Sequence, residues 1–146
     1  MDLPLRIPLF PLPNVVLFPG VPLPLHVFEP RYREMVRDAR AGESVIGMVL
    51  LKGEWQKDYY GRPSIFDVGC AGRLVSVEPL SDGRSNILLH GIREFQIARE
   101  VGDHSYREAE VSWRPTDVSR SLGADRRLRV KGLLERFLSQ DKDSPA

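Results

Sequence analysis

The sequence predicts an α+β fold that is mainly β, with one helix after the second strand region and a second helix near the C-terminus. Three observations lead to this prediction. Seven prolines interrupt the apolar segment 7–33, the apolar period then changes from two to that of a helix, and three strand-like segments follow between residues 66 and 113. Because short turns separate these three segments, they predict an antiparallel meander.

The proline-rich segment begins the fold. Proline fixes φ and lacks an N–H group, so this segment can be neither a helix nor a fully paired central strand. Its apolar content nevertheless predicts burial. We expect two short extended pieces, residues 6–10 and 22–28, joined by a hairpin-like strap at residues 14–20. In the second piece every second residue is apolar, so one row of side chains faces a core.

A helix follows the second extended piece. Its apolar stripe has the spacing i, i+3, i+4 and i+7: Tyr32, Met35, Val36 and Ala39. Pro30 suits the first helical position and Gly42 suits the residue just past the end. Glu29 would occupy the N-cap, where a negative charge is favourable.

The remaining strands are bounded by polar segments and glycines. Residues 45–51 are continuously apolar and predict a strand buried on both faces, and the polar loop 52–64 follows. Phe66, Val68 and Cys70 form the apolar row of the next strand, residues 66–77, and this row changes face after Gly72, which suggests a bulge. The turn 81–84 leads to the strand 86–97, with a bend at Gly91, and then to the strand 106–113.

The β region is expected to end near residue 114. Residues 1–114 form the predicted β-rich domain, and residues 115–123 form a linker. Residues 124–138 have a helical apolar stripe and predict a helix that packs on or extends the domain, and residues 139–146 form a polar tail.

Several sequence segments resemble the Lon-protease N-terminal domain family. The run LPLFPLPNVVLFPG, followed by LPLHVF and EPRYREMV, is similar to the start of that domain, and most of all to its stand-alone bacterial members. GRLVSVEPLSDGRSNILLHGIREFQI and YREAEV fit the same pattern, so the resemblance spans residues 3–113. It implies a PUA-like antiparallel pseudo-barrel that binds unfolded or peptide substrates. The helical bundle, ATPase and peptidase domains of the full protease have no counterpart in this sequence.

No residue pattern indicates an enzyme. A P-loop is absent, and no serine lies in a nucleophile motif with an obvious base. Cys70 could pair with His26, His90 or His104 as a thiolate nucleophile, or it could be a small buried apolar residue. Because these histidines are scattered and the chain has one cysteine, we expect no metal site and no cofactor.

Composition restricts the partners. The 146 residues include 21 basic and 20 acidic side chains, and the net charge of +1 argues against nucleic acid and anionic membranes. No apolar run approaches the ~20 residues that span a bilayer. A single cysteine excludes an intrachain disulfide and fits a reducing compartment. We therefore expect a soluble, cytoplasmic protein.

The candidate peptide-binding residues fall into two main groups with further arginines. They are Phe28, Glu29, Arg31, Tyr32, Trp55, Tyr59, Tyr60, Arg73 and Arg93. The polar cluster at residues 29–33 is either a rim that meets a peptide or an ion pair, with Glu29 bonded to Arg33 or Arg93, that fixes the helix to the barrel. The three aromatic residues of the loop 52–64 either bind a partner or cap the core.

The predicted function is a non-enzymatic protein- or peptide-binding module. The partners implied are unfolded or extended polypeptide and an ATP-dependent protease or chaperone. Three alternatives remain open: an RNA-binding PUA-like domain, a hydrolase that uses Cys70, and a scaffold that forms a homodimer through the apolar stripe of residues 130–138.

Overall fold

The computed structural model describes residues 3–102 and 104–115. Their elements, in chain order, are β1 (Arg6–Leu12), β2 (Pro22–Val27), α1 (Pro30–Ala41), β3 (Val45–Leu50), a 3₁₀ turn (Trp55–Asp58), β4 (Val68–Pro79), β5 (Ser85–Val101) and β6 (Glu108–Trp113). A mainly β fold with a helix after the second strand is thus confirmed. The predicted helix 124–138 and tail 139–146 lie outside the described residues, as does all of the predicted linker except Pro115.

The six strands form one sheet that closes into a ring. The strand order is β2-β5-β4-β3-β1-β6, and β6 also pairs with β5. Both the β4–β5 and β5–β6 pairs are antiparallel, so the predicted meander is confirmed. β2 lies outside the ring, where it pairs with the N-terminal half of β5. A closed ring removes most of the sheet edges that would otherwise be open to other chains.

The first two strands do not form the hairpin that the sequence suggested. β1 pairs with β3 and β6, whereas β2 pairs with β5. The β1–β3 pair is parallel, which also departs from the expected all-antiparallel arrangement. Parallel neighbours need a long crossover connection, and the segment that contains β2 and α1 supplies it.

The prolines of β1 are accommodated because each half of the strand has its own partner. Residues 6–8 pair with β6, and residues 9–12 pair with β3. Pro8 and Pro11 lie in different halves. The strand therefore avoids full pairing on both sides, as its missing N–H groups require.

Helix α1 begins and ends where the sequence predicted. Glu29 is the N-cap residue, Pro30 is the first helical residue and Gly42 is the C-cap. The amide of Gly42 donates to the carbonyls of Asp38 and Ala39, which satisfies backbone groups at the helix end. The predicted stripe of four apolar residues is buried. It packs against the sheet and forms part of the larger of two apolar clusters.

A second apolar cluster fills the ring. It is centred on Phe95, which is fully buried with Ile7, Leu9 and Ala109. Gly47 lies against the Phe95 ring, and a Cβ at this position would come within 2.9 Å of it. The missing side chain of Gly47 therefore leaves the space that the aromatic ring occupies.

The two predicted bends coincide with one register shift between β4 and β5. Gly72 pairs with Gly91, whereas the preceding Ala71 pairs with Arg93, so one residue of β5 bulges out.

The apolar row predicted for the strand 66–77 is wrong in part. β4 begins at Val68, which is exposed like Phe66, and only Cys70 of that row is buried.

Candidate functional site

The two groups of candidate residues meet at the start of α1. The Tyr59 hydroxyl on the loop donates a hydrogen bond of 2.7 Å to the Glu29 carboxylate. Arg31 Nε donates to the same carboxylate at 3.1 Å. Glu29 thus serves both as the backbone N-cap and as the acceptor that connects the helix to the loop.

Arg31 extends this connection to the backbone of the loop. Its Nη2 donates to the Tyr59 carbonyl at 3.0 Å, and its Nη1 lies 3.5 Å from the Gly61 carbonyl. The guanidinium carbon also lies 4.8 Å from the centre of the Tyr32 ring. One arginine therefore engages a carboxylate, two loop carbonyls and an aromatic face.

The ion pair expected from the sequence has different partners. Glu29 bonds to Arg31 and Tyr59 rather than to Arg33 or Arg93. Arg33 Nε instead donates to the Phe28 carbonyl at 3.0 Å, and Arg93 Nε donates to the Arg114 carbonyl at 2.6 Å. Several arginines lie close to Glu29 in the chain, and no local pattern distinguishes the one that pairs with it.

A second anchor holds the far end of the loop. Arg107 Nη1 donates to the Pro63 carbonyl at 2.6 Å. Its Nε and Nη2 form a bidentate pair with Glu100 at 2.6 and 2.8 Å. The hydrogen bonds from Arg107 hold the pKa of the Glu100 carboxyl below its usual value. The Lys52 amide also donates to the Ser64 carbonyl at 2.9 Å, so both ends of the loop 52–64 are fixed.

The loop aromatics form an edge-to-face chain that ends in solvent. Trp55 and Tyr60 each pack an edge against Tyr59, with ring centres 5.8 and 5.0 Å away. Tyr59 and Trp55 are half-buried, but 87% of Tyr60 is exposed. Phe28 is 54% exposed and stacks on His26 at 6.1 Å. We refer to Phe28, Trp55, Tyr59 and Tyr60 as the aromatic surface.

Tyr32, which the sequence offered as a peptide contact, belongs to the core. It is 4% exposed and stacks on Phe10 with ring centres 4.4 Å apart. Burial raises the pKa of its hydroxyl above the ordinary tyrosine value. Burial, together with the hydrogen bond to Glu29, also raises the pKa of Tyr59. Both hydroxyls are therefore neutral at physiological pH.

Arg73 and Arg93 lie away from the aromatic surface. Arg73 is on β4 opposite Val45, the first residue of β3, whereas the loop 52–64 follows the other end of β3. That strand is about 20 Å long. Arg93 is on β5 opposite Ala71, and its side chain is bonded to the end of β6. The structure therefore does not unite these arginines with the other candidates.

Cys70 lies in the core rather than in a crevice. It is 4% exposed and contacts the carbonyl of Ala71. Burial raises the pKa of its thiol to about 12. His26 and His104 bond instead to Asn86 and Glu108. A thiolate nucleophile is therefore unavailable at neutral pH.

Two further features can be assessed in the described ranges. Residues 3–102 and 104–115 contain no group of three or more histidine, cysteine or acidic side chains that could hold a metal ion. Within the same ranges, no helix has both the length and the apolar character needed to cross a membrane.

Sequence reasoning missed the Arg107–Glu100 anchor and its bond to Pro63. The two charged residues are seven positions apart across the turn between β5 and β6, and opposite charges at such positions can pair across strands. That signal was present in the sequence. The contact with Pro63, which is 44 residues from Arg107, follows only from the closed ring.

The sequence matches the family model described as the ATP-dependent protease La (LON) substrate-binding domain over residues 6–143. The Lon proteases of Flavobacterium johnsoniae and Cytophaga hutchinsonii are each 32% identical to it, over 110 and 114 residues. These alignments cover 75% and 76% of this chain but only 13% and 14% of the two proteases.

Two solved structures share the fold. A Lon N-terminal domain protein from Xanthomonas campestris is 33% identical, with a TM-score of 0.59 and coverage of 75% of this chain and 60% of its own. The N-terminal domain of a Mycobacterium avium complex Lon protease is 18% identical, with a TM-score of 0.61 and coverage of 93% and 71%, and supports the fold alone. From the family match and these relatives, the chain belongs to the family of Lon substrate-binding domains.

Proposed function

We propose that this protein is a non-enzymatic module that binds unfolded or extended polypeptide through its aromatic surface. The observation that carries this proposal is an exposed aromatic side chain on a loop that is fixed at both ends. Tyr60 is 87% exposed, while its neighbours Tyr59 and Gly61 are bonded to the start of α1. A pre-ordered aromatic side chain binds a partner with little loss of conformational entropy.

Side-chain contacts, rather than strand addition, would supply most of the affinity. β2 pairs only with β5 among the described strands, so its outer edge is the candidate for adding a peptide strand. The Gly91 amide donates to the Val21 carbonyl. In this register, the backbone N–H and C=O groups of the odd-numbered residues of β2 face β5, and those of the even-numbered residues face away from it. Pro22 and Pro24 then lie on the outer edge without N–H groups, and a peptide strand would find few donors there.

The proposal extends to the class and setting of the protein. The domain would be PUA-like and would supply substrates to an ATP-dependent protease or chaperone in the cytoplasm. The family match, to a substrate-binding domain of an ATP-dependent protease, supports the protease as the partner. The near-neutral net charge of +1 makes RNA the less favoured ligand. Capture of partners from the native lysate would identify such a protease.

Polypeptide binding can be tested with a labelled model protein kept unfolded by reduction and carbamidomethylation, which adds no charge. We expect saturable binding that weakens at least about tenfold in Phe28→Ala/Tyr60→Ala, because truncated aromatic anchors dominate such losses. Leu5→Ala/Val75→Ala is the matched control, since these side chains are 72% and 58% exposed elsewhere. No binding at high micromolar protein, or equal losses in the two double variants, would refute the proposal.

A further inference from the structure

A cleft beside α1 has one wall that carries positive charge and an opposite wall that is apolar. It has a volume of about 360 Å³ and lies between the helix and the β4–β5 turn. Arg33, Arg37 and Arg40 line one side, and Val77 and Pro79 lie on the opposite side. None of these five residues belongs to the aromatic surface.

The spacing of the three arginines places them on one stripe of the helix. Arg37 follows Arg33 by four positions and Arg40 follows Arg37 by three, so all three lie on the same helical face. Along the helix axis, the Cα atoms of Arg33 and Arg37 are about 6 Å apart, and those of Arg37 and Arg40 are about 4.5 Å apart. The acidic residues of α1 lie on another stripe and are already bonded. Glu34 accepts from Ser105, and Asp38 accepts from Tyr106.

The arginines of this cleft lack carboxylate partners. The side chains of Arg37 and Arg40 are exposed and form no hydrogen bond or ion pair with any residue in the described ranges. Arg33 is bonded through Nε to a backbone carbonyl, and its Nη1 lies near Gly83 at the rim of the cleft. Asp82 of the adjacent turn is paired with Arg84. Three positive charges thus converge with no paired carboxylate among the described residues, in a chain whose net charge is +1.

We infer that this cleft binds an extended polypeptide segment in which acidic and aliphatic residues alternate. Carboxylates at every second position of an extended chain are about 7 Å apart, which is compatible with the spacing of the arginines. The aliphatic side chains between them would then contact Val77 and Pro79. Charge complementarity favours this occupant over a neutral or basic segment.

This inference adds a second contact to the proposed polypeptide binding and stands independently of the aromatic surface. If only the aromatic surface binds, binding of the carbamidomethylated unfolded protein will still depend on Tyr60. If only the cleft binds, acidic peptides will bind and the Phe28→Ala/Tyr60→Ala variant will retain them. The two failures are therefore distinguishable.

The test uses a fluorescein-labelled pentapeptide that alternates glutamate with leucine, and an analogue with glutamine in place of glutamate. We expect the acidic peptide to bind with an affinity that falls as salt rises, and Arg37→Gln/Arg40→Gln to weaken it roughly tenfold. Arg99→Gln/Arg114→Gln removes the same charge at exposed arginines elsewhere, which pair with Glu110 and Glu94, and should change the affinity by less than about twofold. Arg37→Lys/Arg40→Lys retains the charge and should retain most of the binding.

Amide chemical shifts locate the bound peptide. Shifts at Arg37, Val77 and Ser85 on addition of the acidic peptide support the inference, because all three line the cleft. Equal losses in the two glutamine variants, equal binding of the glutamine peptide, or stronger competition by inorganic phosphate or RNA than by unlabelled acidic peptide would each overturn it.

Discussion

The Tyr59 hydroxyl lies 2.7 Å from the Glu29 carboxylate, although the two residues are 30 positions apart in the sequence. This contact connects the first turn of α1 to the loop that presents Tyr60. It is supported by Arg31, which bonds to both Glu29 and the Tyr59 carbonyl. The aromatic surface is therefore held by the helix rather than by the loop alone.

Removal of the Tyr59 hydroxyl should measure the strength of this connection. Tyr59→Phe is expected to lower the free energy of unfolding by about 1 kcal/mol, since the acceptor is a charged group at a half-buried site. Tyr60→Phe is the control, because its hydroxyl has no bond to a described residue, and should change stability by less than about 0.5 kcal/mol. Chemical denaturation measures both. Equal effects would show that the contact contributes nothing.

The buried thiol of Cys70 predicts a dependence of stability on alkaline pH. Its pKa is about 12 in the fold against an ordinary value of 9.0, so the folded state keeps a proton that the unfolded state loses. The contribution of the thiol is therefore complete below pH 9 and is lost as the pH rises toward 12.

Comparison with Cys70→Ala isolates this effect from the tyrosines. Above pH 9, the free energy of unfolding should fall more steeply in the natural protein than in the variant. The difference is at most about 1.4 kcal/mol per pH unit. Denaturation curves between pH 8 and 10.5 provide the measurement. Parallel pH profiles, or rapid modification of the native thiol at pH 8, would contradict the burial of Cys70.

Two glycines should differ in their tolerance of alanine. At Gly91, a Cβ would meet the backbone of Phe18 and Pro19, with the Phe18 carbonyl carbon at 2.7 Å. At Gly47, it would meet the side-chain ends of Ile7 and Phe95 at 2.7 and 2.9 Å.

Because side chains adjust more readily than backbone, Gly47→Ala should cost about 1–3 kcal/mol and Gly91→Ala more. Thermal and chemical denaturation of the two variants gives the order. A Gly91→Ala variant as stable as the natural protein would mean that the strap at residues 14–20 does not lie against β5.

The prolines of β2 should protect its outer edge from pairing. Pro22→Thr/Pro24→Thr restores two N–H donors and is expected to promote self-association that grows with protein concentration. Pro30→Ala, at the first position of α1, is the control and should leave the mass unchanged. Light scattering at two concentrations tests this. A monodisperse double variant would show that something other than proline protects this edge.

Local signals in the sequence predicted the helix, the turns and the bends well. The limits of α1 followed from Pro30 and Gly42, and the bends followed from Gly72 and Gly91, because proline restricts the backbone locally and glycine permits conformations and close approaches that other residues do not. Strand pairing was not predictable in the same way. The parallel β1–β3 pair depends on the crossover between them, which no local pattern encodes.

The sequence predicted two separate groups of candidate residues, but it did not predict that they lie together. Composition drew attention to the loop aromatics and to the cluster at residues 29–33, yet their union depends on a contact between distant segments. Tyr32 belongs to the apolar stripe of the helix, and this periodicity correctly indicated its burial. Its polar neighbours in the sequence suggested a surface position instead, which is wrong. The arginine stripe of α1 was visible at spacings of four and three, but its importance depends on the cleft that it faces.

Amide chemical-shift mapping with the carbamidomethylated unfolded protein tests the central proposal most directly. Binding through the aromatic surface predicts shifts at Phe28, Tyr60 and Gly61 that saturate with ligand and disappear in Phe28→Ala/Tyr60→Ala. Shifts confined to other surfaces, or none at high micromolar ligand, would contradict it.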